Sequence, residues 1–216
     1  MLGVAEESRS MTAKSFDERA ATWDDDPVKV ERAELAANMI RAMVSLDGSE
    51  RFLDYGAGTG LLSEALRDDL GSIVLAEVSA GMRDVIRGKQ ELGTLPADAG
   101  VWDLDLTVGE LPDDRFDLIA IVMTLHHVVE AVRLLDVFAR MLRPGGHLCI
   151  VDLDSEDGTL HGVEFEGHRG FDRVVLERQL REVGFEQVEF RPLLELERPT
   201  GRYPVFFAVA RNARQG

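Results

Sequence analysis

Between residues 54 and 60 the chain reads Asp54-Tyr55-Gly56-Ala57-Gly58-Thr59-Gly60, directly behind the apolar pair Phe52-Leu53 and directly ahead of Leu61-Leu62. A short apolar strand that runs through alternating glycines into a helix makes a ligand-binding corner. Glycine lets the backbone turn in conformations closed to other residues and approach a ligand closely, and the helix start offers unpaired amides. An ordinary strand-to-helix turn does not need three glycines. The spacing is G-x-G-x-G, with Leu61 where a dinucleotide fingerprint carries its third glycine. No lysine follows Thr59-Gly60, so the corner is not a P-loop.

The rest of the chain alternates around this corner. Apolar strands are expected over residues 51–55, 72–77, 101–106, 116–123 and 147–151. Helices are expected over 61–70, 80–90, 130–142 and 171–183, with Pro144-Gly145-Gly146 as a turn. Strands that are apolar throughout and separated by helices indicate a parallel sheet covered on both faces. Residues 185–195 and 203–210 read as two more strands, and the short link between them makes them antiparallel neighbours. The expectation is an α/β, Rossmann-like, mostly parallel seven-stranded sheet with helices on both faces and a C-terminal antiparallel hairpin. Ahead of it, residues 12–23 suggest a short helix carrying Phe16, Ala20 and Trp23. Asp26 and Pro27 then suit the N-cap and first position of a helix reaching about Leu46. One domain of 216 residues divides into an N-terminal helical segment (1–47), a core (48–151) and a C-terminal segment with the hairpin (152–216).

Two acids follow the corner at informative places. Glu77 closes the second strand roughly 20 residues on, where a carboxylate accepts hydrogen bonds from both hydroxyls of a ribose. Asp105 follows the third strand and could accept from an exocyclic amine; Asp103 lies on the same face, and the sequence separates the two weakly.

Charge narrows the partners. The formal net charge is −16, which opposes binding to nucleic acid or to an anionic membrane. The arginines Arg202, Arg211 and Arg214 read as a solvated tail. The lone cysteine, Cys149, sits in an apolar run and reads as a buried hydrophobe. No stretch approaches the length of a membrane span, and Met1–Ser10 lacks the apolar core of a signal peptide. A cytoplasmic location is the default expectation; the oligomeric state stays open.

With these residues in view, the chain resembles the class I S-adenosylmethionine (AdoMet)-dependent methyltransferases. The matching stretches are the glycine corner, Ala76-Glu77-Val78-Ser79-Ala80-Gly81-Met82, Phe116-Asp117-Leu118-Ile119 leading to Leu125-His126-His127-Val128, and Leu142-Arg143-Pro144-Gly145-Gly146. The likeness is closest to the small-molecule ubiquinone/menaquinone methyltransferase subgroup. It extends to Phe16-Asp17-Glu18-Arg19-Ala20 and to His168-Arg169-Gly170-Phe171. It implies AdoMet as cofactor and a small-molecule acceptor. Asp54, Gly56, Ala57, Gly58 and Gly60 would form the cofactor corner and Glu77 would hold the ribose. Val78 and Met82 would flank the adenine, Asp105 and Leu106 would meet its edge, and Met123 would line the site near the methyl group. Phe16 and Trp23 would belong to a lid. Tyr55 departs from the smaller residue common in the family, and Glu77 replaces the commoner aspartate.

An activated sulfonium needs chiefly an aligned acceptor and the exclusion of water. His126 and His127, just after the fourth strand, either supply a base for an acceptor that must lose a proton or make local hydrogen bonds at a helix start. His161 and His168 share the irregular segment 152–170 with Asp152, Asp154, Glu164 and Glu166. Their spacing matches no zinc pattern, so no metal is expected. The segment, His168 included, instead shapes the acceptor pocket together with the lid. Phe16 and Trp23 either wall that pocket or pack between helices. A non-catalytic AdoMet-binding protein is the alternative reading, and a nicotinamide oxidoreductase is disfavoured by the glycine spacing.

Overall fold

The structure is a computed structural model and describes residues 16–161 and 165–214. Seven strands form one sheet in the order β3-β2-β1-β4-β5-β7-β6. The strands are β1 (Arg51–Tyr55), β2 (Ser72–Ala76), β3 (Gly100–Trp102), β4 (Phe116–Val122), β5 (Leu142–Leu153), β6 (Phe185–Arg198) and β7 (Gly201–Asn212). β1 to β5 pair in parallel, and β7 runs antiparallel to both β5 and β6. The sequence-based architecture is the one observed.

Both faces are covered because successive strand residues point to opposite sides. Leu53, Ile119, Ile121, Leu148 and Ile150 join one core with α4 (Ala131–Met141) and α5 (Arg173–Glu182). Phe52, Leu118, Ala120, Cys149 and Val151 join the other with α1 (Pro27–Met43), α2 (Leu61–Leu66) and α3 (Ala80–Leu92). The chain leaves β1 toward β2 on one side, while β4 lies on the other side of β1. This is the switch point at which open α/β sheets leave a crevice beyond their carboxyl ends.

Several boundaries differ from expectation, each for a local reason. The third strand stops at Trp102, because Asp105 Oδ1 accepts both the backbone N–H (2.8 Å) and the hydroxyl (2.6 Å) of Thr107, bending the chain away from the sheet. α2 ends at Leu66, where Arg41 reaches across to the carbonyl of Ala65 (2.6 Å) and to Asp69. α1 ends at Met43, and Val44 turns extended and buried. Pro144-Gly145-Gly146 is not a free turn: it lies inside β5 as an irregularity in the pairing with β4, with Gly145 at φ +81°. Phe171 lies outside α5, in a bridge to Asp154, and the Asp172 side chain caps that helix through Val174 N and Val175 N. The hairpin strands run longer than expected, to Arg198 and from Gly201.

Phe16 to Arg19 are helical and continue as a 3-10 helix, Ala20–Asp25. Residues 12–15 of the expected first helix, the Met1–Ser10 leader and Glu164 lie outside the described residues. Arg211 and Arg214 are partly covered rather than part of a solvated tail, whereas Arg202 is largely exposed. Arg214 bonds Asp136 (2.5 Å), Arg211 bonds Glu186 (2.7 Å), and Arg202 pairs with Glu195 and Glu197. Cys149 is buried, and burial pushes its thiol pKa upward. Among the described residues no helix is long and apolar enough to cross a membrane.

Candidate functional site

The glycine corner has the geometry that its composition demands. Gly56, Gly58 and Gly60 take φ values of +68°, +57° and +81°, the left-handed region in which side chains are strained. The amides of Gly56 and Ala57 both donate to the carbonyl of Ala76 (2.8 and 3.2 Å), tying the corner to the end of β2. A Cβ on Gly60 would stand 2.9 Å from Leu75 Cδ2, so that glycine permits close packing of helix on sheet. A Cβ on Gly58 would instead meet only the indole Nε1 of Trp23, at 3.7 Å. The middle glycine therefore faces the N-terminal segment rather than the core.

Glu77 lies immediately after β2 and is buried. Its Oε2 accepts the N–H of Gly58 and its Oε1 that of Ser79, both at 2.8 Å. Burial raises the pKa of this carboxyl, against the pull of those amides. The two bonds fix the plane of the carboxylate beside the corner, and each oxygen has a further lone pair for a hydroxyl donor. Arg83 holds the neighbouring strand ends together through the Glu77 carbonyl and Asp103, each at 2.8 Å. This separates the two acids that the sequence left ambiguous: Asp103 is Arg83's partner, whereas Asp105 lies in the loop beyond β3. Tyr55 belongs to that loop's support. Its hydroxyl meets Asp105 (3.4 Å) and accepts the N–H of Leu106 (3.2 Å), and its ring packs edge-on against Phe138 at 5.3 Å. Val78 is exposed, while Met82 and Leu106 are buried beneath the site.

Asp54 lies under the corner at 2% exposure and accepts the Ser63 hydroxyl at 2.7 Å. Burial pushes its carboxyl pKa up to about 7. In the unfolded chain the group ionises at the ordinary value of 3.8, so between about pH 4 and 7 the native state holds a proton that the unfolded state has lost. Stability from this group therefore falls as pH rises through that window. Asp54→Asn, which keeps an acceptor for Ser63 but does not titrate, should gain stability relative to the native chain between pH 5 and pH 8. Urea midpoints at the two pH values measure this; an equal difference at both would refute it.

The N-terminal segment is latched over the corner by two acids. Asp17 accepts from the Ser79 hydroxyl (2.6 Å) and Gly81 N (2.9 Å); Asp24 accepts from the Thr59 hydroxyl (2.5 Å) and pairs with Lys89 (2.7 Å). The Ser79 bond leads the effects that hold the Asp17 carboxyl below its ordinary pKa. Phe16 packs edge-on against Trp23 at 5.7 Å and against His127 at 5.8 Å. An aromatic path thus leads from Gly58 to the histidines.

Those histidines stand where β4 and β5 end. Met123 holds φ +49°, an uncommon backbone for its residue type, and its N–H donates to Val151 (2.7 Å). The following 3-10 turn, Leu125–His127, carries both rings. His126 is buried, with Nδ1 at 2.7 Å from Asp152 Oδ1 and its backbone N–H on Oδ2 at 3.2 Å. His127 packs on His126 at 4.2 Å; burial, followed by the neighbouring His126 and His161, lowers its pKa to about 3. His161 lies against both and stacks on Phe165 at 4.2 Å. The ring of His168 lies apart from them, on the carbonyl of Val129 (3.2 Å), while its backbone N–H bonds His126 O (2.7 Å). A polar depression of about 350 Å³ lined by His147, Arg191 and Arg211 lies at the amino edge of β5. It shares no residue with this site.

The sequence profile of the methyltransferase domain matches residues 29–189, most of the chain. The chain belongs to the methyltransferase-domain family. Over 117 residues this methyltransferase-domain protein is 37% identical to the demethylmenaquinone methyltransferase of Clavibacter sepedonicus, covering 53% of the chain and 45% of that protein. Over 106 residues it is 31% identical to a ubiquinone/menaquinone biosynthesis C-methyltransferase of Vibrio parahaemolyticus, covering 48% and 41%. The chain therefore spans less than half the length of these curated relatives. Its fold is similar to that of phosphoethanolamine N-methyltransferase 2 of Haemonchus contortus, with a TM-score of 0.69 at 15% identity over 83% of this chain and 52% of that one.

Sequence reasoning missed the parts played by Asp17 and Asp24, and it missed the pairing of Asp152 with His126. The last was within reach: Val122, the last residue of β4, pairs with Val151, so the turn after β4 and the following β5 residue, Asp152, are neighbours.

Proposed function

We propose that this chain binds AdoMet at the glycine corner and catalyses methyl transfer to a small-molecule acceptor held between the N-terminal segment and the histidines. The observation that carries the reading is the Glu77 carboxylate, braced by Gly58 N and Ser79 N beside three left-handed glycines at the β1/β4 switch point. These residues fit the cofactor. Glycine backbone takes the methionine portion, Glu77 accepts from the ribose hydroxyls, the exposed Val78 offers one face to the adenine, and the Asp105 loop meets its edge with Tyr55 as support. Asp54, Gly60, Met82 and Leu106 shape the corner from below, and Met123 lines it at the end of β4.

Bound AdoMet supplies a methyl group already activated by its sulfonium. The chain's part is to align the acceptor and exclude water. Phe16 and Trp23 wall the acceptor side and close it from above, so residues 1–47 act as a lid and 152–216 as the acceptor-side segment. His126, with its Nδ1 hydrogen committed to Asp152, has one lone pair left on its other ring nitrogen, which takes either a proton from the acceptor or an ion, not both at once. His127, a weak base at neutral pH, contributes shape. The two sequence relatives are named for demethylmenaquinone and for ubiquinone/menaquinone biosynthesis, which makes hydroxylated aromatic rings the first acceptor class to try.

The test is acceptor-dependent formation of S-adenosylhomocysteine from AdoMet across a panel of quinols and hydroxyaromatics. Turnover above the acceptor-free level is expected. Binding of AdoMet with no turnover on any member would favour a non-catalytic binder. The lid has its own test: Asp17→Ala/Asp24→Ala should expose Trp23, seen as a red-shifted and more readily quenched emission, and speed AdoMet release about tenfold, the loss of roughly 1.4 kcal/mol of latch. Unchanged emission and release would remove the lid from the account.

A further inference from the structure

His126, His127 and His161 come from two segments 34 residues apart between His127 and His161, yet each offers a ring nitrogen within 4.8 Å of the other two. Ring centroids lie 4.2 Å apart for His126 and His127, 5.0 Å for His126 and His161, and 6.0 Å for His127 and His161. Two further observations give the cluster direction. Asp152, fully buried, fixes the ring of His126 through Nδ1. His161 Nδ1 is buried with no hydrogen-bond partner among the described residues. A buried ring nitrogen without a partner is costly, and three imidazoles with ring nitrogens this close offer a set of donors for one ion.

We propose that His126, His127 and His161 bind a divalent transition-metal ion of the zinc class, with Asp152 orienting His126 from the outer shell. Three neutral nitrogen donors suit zinc, cobalt, nickel, copper or iron and not magnesium or calcium, which take oxygen ligands. A carboxylate behind a ligating histidine fixes its tautomer and ring orientation. Three protein ligands leave a fourth position for water or an oxygen of a bound ligand, the pattern of a reactive site rather than a structural one. His127 also touches Phe16, which puts the ion beside the acceptor wall. This departs from the expectation of no metal drawn from sequence: the adjacent pair His126-His127 and the distant His161 form no local spacing, and only the fold brings them together.

The experiment uses the full chain, stripped with a chelator and titrated with cobalt(II) while the visible spectrum is followed, then with zinc in competition. One cobalt per chain is expected, with the intense bands of a low-coordinate nitrogen site, displaced by zinc. His161→Ala should lose at least 100-fold in affinity, and Asp152→Asn 10–100-fold, as outer-shell partners do. His147→Gln, earlier in β5 and outside the cluster, should bind as the native chain does. Circular dichroism shows which variants fold, and His127→Asn serves in place of any that does not. No cobalt bands, or the same affinity in the native chain, His161→Ala and His127→Asn, would overturn the metal site. AdoMet titration of the stripped protein runs alongside: binding there with no cobalt bands would refute the metal alone and leave the cofactor reading intact.

Discussion

Glu77→Ala is expected to weaken AdoMet binding by about 100-fold. The carboxylate would accept hydrogen bonds from two ribose hydroxyls, and a hydrogen bond to a charged group contributes about 1.5–3 kcal/mol. Two at the lower bound amount to about 3 kcal/mol, which is about 100-fold in affinity. The loss does not stop there, because the same carboxylate carries the N–H groups of Gly58 and Ser79 at 2.8 Å. Without it the middle of the corner loses its brace and Gly58 is free to leave the φ of +57° that opens it to the ligand. Glu77→Gln separates the two effects, since the amide oxygen keeps one acceptor and the neutral group loses the charge. It should fall between the native chain and Glu77→Ala. Calorimetric dissociation constants for the three proteins measure this, and equal constants would mean that another residue holds the ribose.

Asp152→Ala should be the most destabilising single change at the site. The carboxylate has 0% exposure. It accepts three donors: His126 Nδ1 (2.7 Å), His126 N (3.2 Å) and Leu153 N (2.8 Å). Truncation leaves these groups buried and unpaired at about 1–3 kcal/mol each, so a loss of about 3–5 kcal/mol is expected after partial relaxation. The effect should reach His161 and Phe165 through the His126 ring. Asp152→Asn, which keeps an acceptor on the same stem, should lose less. Urea unfolding monitored by circular dichroism gives both values, and a loss below about 1 kcal/mol for Asp152→Ala would show that water replaces the carboxylate and that the His126 ring is not held as described.

The parts of this molecule that were legible in the sequence share a cause. Phe52-Leu53, Ile73-Val74-Leu75 and Leu118-Ile119-Ala120-Ile121 are apolar on both sides because both faces of the sheet are covered, and composition alone announces such strands. Gly56, Gly58 and Gly60 announce themselves because left-handed backbone has few other tenants. Glu77 followed from its distance to the corner and from ending an apolar strand. Where the reading slipped, local pattern gave way to a contact it could not contain. Trp102, Leu104 and Leu106 alternate as a strand would, but the side chain of Asp105 turns the backbone after Trp102. Pro144-Gly145-Gly146 looks like a stop, yet pairing with β4 carries the strand through it. Arg211 and Arg214 look solvated until Glu186 and Asp136 are placed beside them. The histidine cluster was least legible. His126 and Asp152 meet through the register of two strands, and His161 arrives from a segment with no period at all.

The central claim is that the corner is built for AdoMet and not for a nicotinamide dinucleotide. Its direct test is a pair of calorimetric titrations of the full chain, one with AdoMet and one with NADH. Binding of AdoMet in the micromolar range with no heat from NADH is the expected result. NADH binding more tightly than AdoMet, or neither binding, would contradict the account.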